Sequence, residues 1–180
     1  MGGIVGRGSG EINGCYNLGN INGKGGYTGG IVGQSQQKLT ILNCYNMGNV
    51  ITNYRAGGII AYVYGETTVN NCYNIGNITS SSASVNGIGG TTVTNCYNFG
   101  KLTSNYGIDT IVGKTISSCY YKSSLKSDKE NTAEGVIDVE TKSIEEIVEL
   151  LNSYKDDTGV YPADWKQWKK GDNGYPTFSD

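Results

Sequence analysis

Three acidic residues are the candidates for acid–base chemistry in the first two-thirds of the sequence. They are Glu11, Glu66 and Asp109, the only Asp or Glu among residues 1–121. Glycoside hydrolysis needs two carboxyl groups facing each other across about 5–10 Å. If Glu11 and Glu66 lie two stacked β-coils apart, ~10 Å separates them, at the limit of this range. Solvated turn carboxylates are the interpretation we favour. A carbohydrate-active enzyme, a polysaccharide lyase or hydrolase, is the alternative.

Other catalytic groups are scarce. The chain contains no His, which removes the usual general base of a Ser-His-Asp triad and the commonest side-chain metal ligand. Gly113, Lys114 and Thr115 resemble the end of a phosphate-binding loop, but Ile108 stands where that loop needs its first glycine. We therefore predict no catalytic residues, no cofactor and a protein that is not an enzyme.

Cysteine recurs at regular intervals along the chain. The five residues are Cys15, Cys44, Cys72, Cys96 and Cys119. No C-x-x-C pair and no His are present to build a zinc site, so we predict no metal. Stacked coils would bring neighbouring cysteines within disulfide range. Buried, reduced thiols are nevertheless the interpretation we favour, because free cysteine packs well as a small apolar residue.

These cysteines belong to an internal repeat that fills residues 1–121. The phrase Asn-Cys-Tyr-Asn occurs at 43–46, 71–74 and 95–98, with variants at 14–17 and 118–121. Each copy is followed by an apolar residue and Gly, then by a short β-branched run, and then by a phrase such as Gly-Gly-Ile-Val-Gly. Runs of this length are too short for helices, and Gly and Asn tolerate the positive φ of corners. We predict a mainly β fold, a parallel β-solenoid with about three strands per coil and four to five coils.

Stacked coils place equivalent residues directly above one another. We expect one structural ladder of the five cysteines and a second ladder of asparagines that hydrogen-bond along the stack. The asparagines of this ladder are Asn17, Asn46, Asn74 and Asn98. Neighbouring residues of a strand face opposite sides, so Cys and Tyr do not both point inward. We favour Cys inward and Tyr outward or at a corner, and the reverse stays open.

Residues 122–180 have a different composition and form a predicted capping segment. They hold both Pro, both Trp and 13 of the 16 acidic residues. The apolar spacing from Ile144 onward predicts one helix near 143–154, which begins with a capping box of Ser143 and Glu146. We expect this helix, with Trp165 and Trp168, to close the open end of the solenoid. The chain opens in mid-repeat, so we expect it to be a fragment with further coils upstream.

The aromatic residues are the candidates for binding. Tyr offers rigid, amphipathic contact area, so outward-facing Tyr45, Tyr73 and Tyr97 could stack on sugar rings or on a partner protein. Trp165 and Trp168 could do the same. The alternative is that the tyrosines shield the coil corner and that the tryptophans pack the cap. A formal charge of −2 argues against nucleic-acid binding. No apolar run approaches the ~18 residues of a membrane span.

The alternation of Asn-Cys-Tyr-Asn-x-Gly-x-Ile with Gly-Gly-Ile-Val-Gly resembles the GLUG-type repeats of large secreted or cell-surface bacterial proteins. Adhesin-like proteins and non-catalytic parts of IgA-peptidase-type proteins carry such repeats. The ending Trp165…Trp168…Gly174-Tyr175-Pro176 resembles the segment that closes those arrays. This resemblance implies a bacterial extracellular or cell-surface module, a spacer or adhesin whose partners are a glycan or a host-surface protein. The family supplies no catalytic residues to carry over.

Overall fold

A computed structural model describes residues 1–125, 130–131 and 133–179. It confirms the predicted fold class, because the protein is a mainly β parallel β-solenoid of about four turns with one C-terminal helix. Within the described ranges, no helix is long and apolar enough to cross a membrane.

The strands are short and are numbered in chain order. The first twelve are β1 (Val5–Asn13), β2 (Tyr16–Asn17), β3 (Ile21–Gly23), β4 (Thr28–Gly29), β5 (Val32–Leu42), β6 (Tyr45–Asn46), β7 (Val50–Thr52), β8 (Ala56–Gly57), β9 (Ile60–Tyr62), β10 (Thr67–Asn70), β11 (Tyr73–Asn74) and β12 (Ile78–Ser80). The others are β13 (Val85–Gly89), β14 (Thr92–Thr94), β15 (Tyr97–Asn98), β16 (Leu102–Ser104), β17 (Ile108–Val112), β18 (Thr115–Ser117), β19 (Cys119–Tyr121), β20 (Glu130–Asn131), β21 (Val136–Asp138), β22 (Trp168–Lys170) and β23 (Pro176–Phe178). A 3-10 turn spans Ser123–Leu125, and helix α1 spans Ile144–Asn152.

The strands of successive coils stack into four parallel sheets, where we expected about three strands per coil. Sheet I contains β1, β5, β10, β14 and β18 with β9 beside β5, and sheet II contains β2, β6, β11, β15, β19 and β21. Sheet III contains β3, β7, β12 and β16, and sheet IV contains β4, β8, β13, β17 and β20. The fourth strand arises because the segment before each cysteine and the Tyr-Asn pair after it belong to different sheets.

A left-handed residue stands between sheets I and II in every coil. Its φ is +66° at Gly14, +52° at Asn43 and Asn71, +53° at Asn95 and +50° at Ser118. Gly adopts this conformation at no steric cost, and Asn adopts it more readily than most residues. The chain bends here, and the residues that follow alternate between the two sides of the strand. Each Cys therefore points into the coil, the next Tyr points outward, and the following Asn points inward again.

The interior of the solenoid contains an apolar part and a polar part. Cys44, Cys72, Cys96 and Cys119 are buried in the main hydrophobic cluster, together with isoleucines and valines of the same coils. The polar part is the column of inward asparagines. Gly58 shows why glycine faces this column, because a Cβ at that position would overlap Asn74 Cγ and the carbonyl oxygen of Gly87.

The C-terminal region extends the sheets and then turns back along the side of the solenoid. Strands β20 and β21 pair with β17 and β19. Helix α1 begins with the predicted capping box, in which the Ser143 hydroxyl accepts from the Glu146 amide and the Glu146 carboxylate accepts from the Ser143 amide. The helix and the antiparallel pair β22–β23 then pack on the outer face of sheet II.

We call residues 139–179 the C-terminal strap. We expected this region to close the end of the solenoid, whereas its helix and hairpin lie beside the coils. The physical reason is that the outward tyrosines of sheet II give the helix and the hairpin an apolar face to pack on. The division of the chain between residues 121 and 122 stays a prediction.

Candidate functional site

The outward tyrosines form a column of stacked rings along sheet II. The strand register places Tyr16, Tyr45, Tyr73, Tyr97 and Tyr120 above one another. The first three steps of the column have ring centroids 5.0, 4.7 and 5.0 Å apart, with interplanar angles of 9°, 2° and 6°. This spacing matches the ~4.8 Å between neighbouring strands, so the rings stack without distorting the sheet.

The strap covers most of this column. Tyr73 and Tyr97 are 1% and 0% exposed, and the ring of Trp168 lies 5.8 and 5.6 Å from theirs. The hydroxyl of Tyr73 is 3.1 Å from the Thr177 hydroxyl, and the hydroxyl of Tyr97 donates to the carbonyl oxygen of Pro176. Burial raises the pKa of both phenols well above the usual value. These contacts place Tyr73 and Tyr97 in an intramolecular interface.

The other predicted aromatic binding residues also contact the chain itself. Trp168 is buried against the tyrosine column and against Phe178. Trp165 is 9% exposed and stacks on Tyr154 with ring centroids 4.8 Å apart. Tyr45 is half-buried. Tyr16, which we had not singled out, is 53% exposed.

A groove remains at the uncovered end of the column. It encloses ≈360 Å³ and is lined by Tyr16, Tyr45, Lys166, Lys169, Thr177 and other residues of the strap and the first two coils. The exposed ring of Tyr16 and the lysines give it an aromatic wall and a cationic wall.

The inward asparagines form the ladder that we expected from the repeated phrase. Each side-chain amide donates to the side-chain oxygen of the next coil, with 2.7 Å for Asn17 to Asn46, for Asn46 to Asn74 and for Asn74 to Asn98. Each amide also donates to the carbonyl oxygen of the glycine two residues later. These bonds satisfy amides that would otherwise be buried without partners.

A second asparagine ladder lies on the outside, which we did not predict. Asn95 donates to Asn71, Asn71 donates to Asn43, and Asn43 donates to Asn13, with N–O distances of 2.9, 2.7 and 2.9 Å. The sequence signal was the first Asn of the repeated phrase, which we had assigned only to a corner. Asn43 and Asn71 also donate to the backbone carbonyls of Asp164 and Lys166, at 2.8 and 2.9 Å. The outer ladder therefore holds the strap as well as the coils.

The cysteines form a column of free thiols inside the solenoid. The backbone amides of Cys15, Cys44 and Cys72 donate to the sulfur of the next coil over 3.4, 3.4 and 3.3 Å. Burial raises the pKa of the Cys72 and Cys119 thiols well above the usual value. Such thiols stay protonated and are poor nucleophiles and poor metal ligands. The described residues include no cluster of three or more His, Cys, Asp or Glu that could hold a metal ion.

The structure places Asp109 apart from Glu11 and Glu66. Glu11 pairs with Thr40 in sheet I, and Thr40 pairs with Thr68, so Glu66 lies just before the corresponding position two coils away. Asp109 lies in β17 of sheet IV and lines a separate cavity. Neither Glu11 nor Glu66 lines that cavity. The cavity at Asp109 therefore contains neither of the other two carboxylates.

The cavity at Asp109 is a ledge on the side of the solenoid, which we did not predict. It encloses ≈260 Å³, and its lining includes Arg55, Tyr62, Asn86, Gly89 and Asp109. The guanidinium carbon of Arg55 lies 5.3 Å from the centre of the Tyr62 ring. The sequence signal was the shorter Cys72–Cys96 interval, which removes residues from the coil above the ledge.

Comparison with known proteins gives one solved structure of similar fold. No protein-family model matches the chain, and no curated protein matches it either. The fold is similar to the crystal structure of a putative immunoglobulin A1 protease from Bacteroides ovatus, with a TM-score of 0.62 and 24% sequence identity. The match covers 94% of this chain and 57% of that chain. At this level of identity the likeness supports the β-solenoid fold and carries no assignment of activity.

Proposed function

We propose that this chain is a non-enzymatic display module of a secreted or cell-surface bacterial protein. In this proposal it belongs to the GLUG-type repeats and acts as a spacer or adhesin that holds a rigid surface away from its attachment point. The observation that carries the proposal is the set of continuous ladders. The coils from Tyr16 to Asn98 repeat the same hydrogen bonds and stacked rings, so the recurring residue types of the repeat serve rigidity.

The positions of the polar groups support the same proposal. The Cys and the second Asn of the repeated phrase point into the coil, and Tyr73 and Tyr97 lie beneath the strap. Catalysis would instead need acid and base groups that converge on one open cleft. The similarity to a Bacteroides structure supports a secreted bacterial origin, and labelling of intact cells with an antibody to this chain would test that location.

The alternative, a carbohydrate-active enzyme, has one observation in its favour. Asp109 and Arg55 line the same cavity, and an acid beside a cation is an arrangement used in catalysis. A single carboxylate leaves no second group to act as nucleophile or base in hydrolysis. We therefore place the alternative second.

A turnover assay separates the two functions. The protein is incubated with a panel of polysaccharides, and new reducing ends and unsaturated ends are measured. We expect neither product to exceed the buffer control. Ends that form with the unmodified protein and disappear with Asp109→Asn, while Glu66→Gln still produces them, would establish the enzyme and end the display proposal.

A further inference from the structure

The ledge cavity exists because the coils change length. The Cys44–Cys72 interval is 28 residues and the Cys72–Cys96 interval is 24. The longer coil carries β9, which pairs with β5 on one side. On its other side the shorter coil passes through Gly89 and Gly90, where a Cβ at Gly89 would lie 3.4 Å from the carbonyl oxygen of Ile60. No described strand pairs with that edge of β9. This change of coil length lies inside the solenoid, distant from both ends of the chain.

The lining of the ledge is of mixed character. Its apolar part includes Val63, which is half-buried, and Val112, which is 38% exposed. Its polar part includes the guanidinium of Arg55, the carboxylate of Asp109 and the amide of Asn86. An apolar surface with a few convergent polar groups is the usual character of a small-molecule site.

Two polar groups of the ledge have capacity for a ligand. The Oδ1 atom of Asn86 is buried without a hydrogen-bond partner in the described structure, and it lies against Gly89, where a Cβ would be 3.3 Å away. An unsatisfied acceptor of this kind destabilises the protein until a donor reaches it. The guanidinium of Arg55 carries five N–H donors and is exposed. The ledge therefore presents the donors of Arg55 at its surface and holds the unpaired Asn86 acceptor just beneath it.

We propose that the ledge binds one neutral pyranose unit of a glycan. This inference rests on the display function proposed above and names its ligand class. A pyranose has an apolar C–H face for the valines and hydroxyl groups that donate to Asp109 and accept from Arg55. A rotation of the Asn86 side chain would let its oxygen accept from a further hydroxyl.

The size and charge of the ledge favour this ligand. Its ≈260 Å³ is below the ~300–1,000 Å³ of pockets for drug-sized ligands, which suits a single sugar ring. The opposite charges of Arg55 and Asp109 offset each other, so the site gives no net attraction to a uronic acid. An extended peptide could add to the free edge of β9, but that edge is three residues long, which limits the number of main-chain hydrogen bonds.

The test uses saturation-transfer NMR on the whole chain with defined probes. The probes are methyl glycosides of neutral hexoses, of N-acetylhexosamines and of uronic acids, together with a blocked Val-Thr-Val peptide. We expect saturation of neutral pyranosides, and titration should show a 10–100-fold weaker Kd for Arg55→Gln, because a hydrogen bond to a charged group is lost. Arg7→Gln is the matched control, since Arg7 is the other arginine of the chain and lies in β1.

Three results would overturn the proposal. The first is the absence of saturation for every neutral pyranoside. The second is binding that survives Arg55→Gln but is lost with Tyr16→Ala, which would move the site to the groove of the tyrosine column. The third is Arg55-dependent binding of the peptide alone. New reducing ends in the same samples would instead contradict the display function, so the two failures are distinguishable.

Discussion

Ser118 is the one left-handed residue of the repeat that is neither Gly nor Asn, and replacing it tests the ladder mechanism. Its φ is +50°, close to the +53° of Asn95 in the coil below. The side-chain oxygen of Asn95 is buried without a hydrogen-bond partner among the described residues. The register of β15 with β19 continues unchanged through this coil, so Ser118→Asn would place an amide donor directly above that oxygen.

The expected gain has two parts. Asn is several-fold enriched over other residues in the left-handed region, which corresponds to about 1 kcal/mol in favour of the native backbone. The new ladder bond contributes about 1 kcal/mol. The lost interaction of the Ser118 hydroxyl with the Tyr120 hydroxyl offsets part of this gain. The net expectation is about 1.5 kcal/mol of additional stability, or a Tm higher by about 3–6 °C.

Urea unfolding followed by circular dichroism measures the effect, with two companion variants that separate its parts. Ser118→Gly relieves the backbone without supplying a donor, and Ser118→Ala supplies neither. We expect free energies of unfolding in the order Asn, then Gly, then Ala. If Ser118→Asn is no more stable than Ser118→Ala, the ladder bond does not stabilise the stack.

Two further predictions address the interior. Gly58→Ala should destabilise the fold by at least about 3 kcal/mol, because its Cβ would overlap Asn74. The control is Gly6→Ala, whose Cβ would meet nothing within 4 Å, and its stability should change by less than about 1 kcal/mol. Equal Tm values for the two variants would contradict this prediction. Stability should also fall at alkaline pH, because burial raises the pKa values of the Cys72 and Cys119 thiols and of the Tyr97 phenol. The unfolded chain then releases protons that the native state retains. Stability therefore falls by about 1.4 kcal/mol per pH unit for each such thiol above about pH 8.5, and by a further such amount for the phenol above about pH 10. Urea titrations at pH 8, 9, 10 and 11 check this fall, and Tyr97→Phe should reduce its slope.

The repeat made the architecture predictable from the sequence. Identical phrases at similar intervals leave stacked coils as the arrangement that pairs every backbone edge, and the inward Asn ladder follows from the same geometry. The capping box of α1 could also be predicted from the sequence, because it depends on two residues three positions apart. These features are local or periodic, and both kinds of information are carried by a single sequence.

The features that sequence reasoning missed depend on contacts between distant segments. Nothing in the spacing of Trp168 and Phe178 indicates that they pack on Tyr73 rather than on the last coil. The outer ladder was hidden because Asn71 serves two purposes, a left-handed corner and a hydrogen-bonding step. To predict the ledge, one must know which part of the shorter coil is missing. The intervals between cysteines give the number of residues lost but not their location in the coil.

The path of the strap has a consequence for how the molecule comes apart. In a solenoid each coil touches only its neighbours, so the ends are expected to fray while the middle persists. Here the carbonyl groups of Asp164 and Lys166 are bound to Asn43 and Asn71, while α1 and Trp168 contact Tyr97 and Tyr120. Peeling away the last coil first requires the strap to release coils nearer the opposite end. A force along the solenoid axis is therefore shared by several coils at once, and the module resists unfolding one coil at a time.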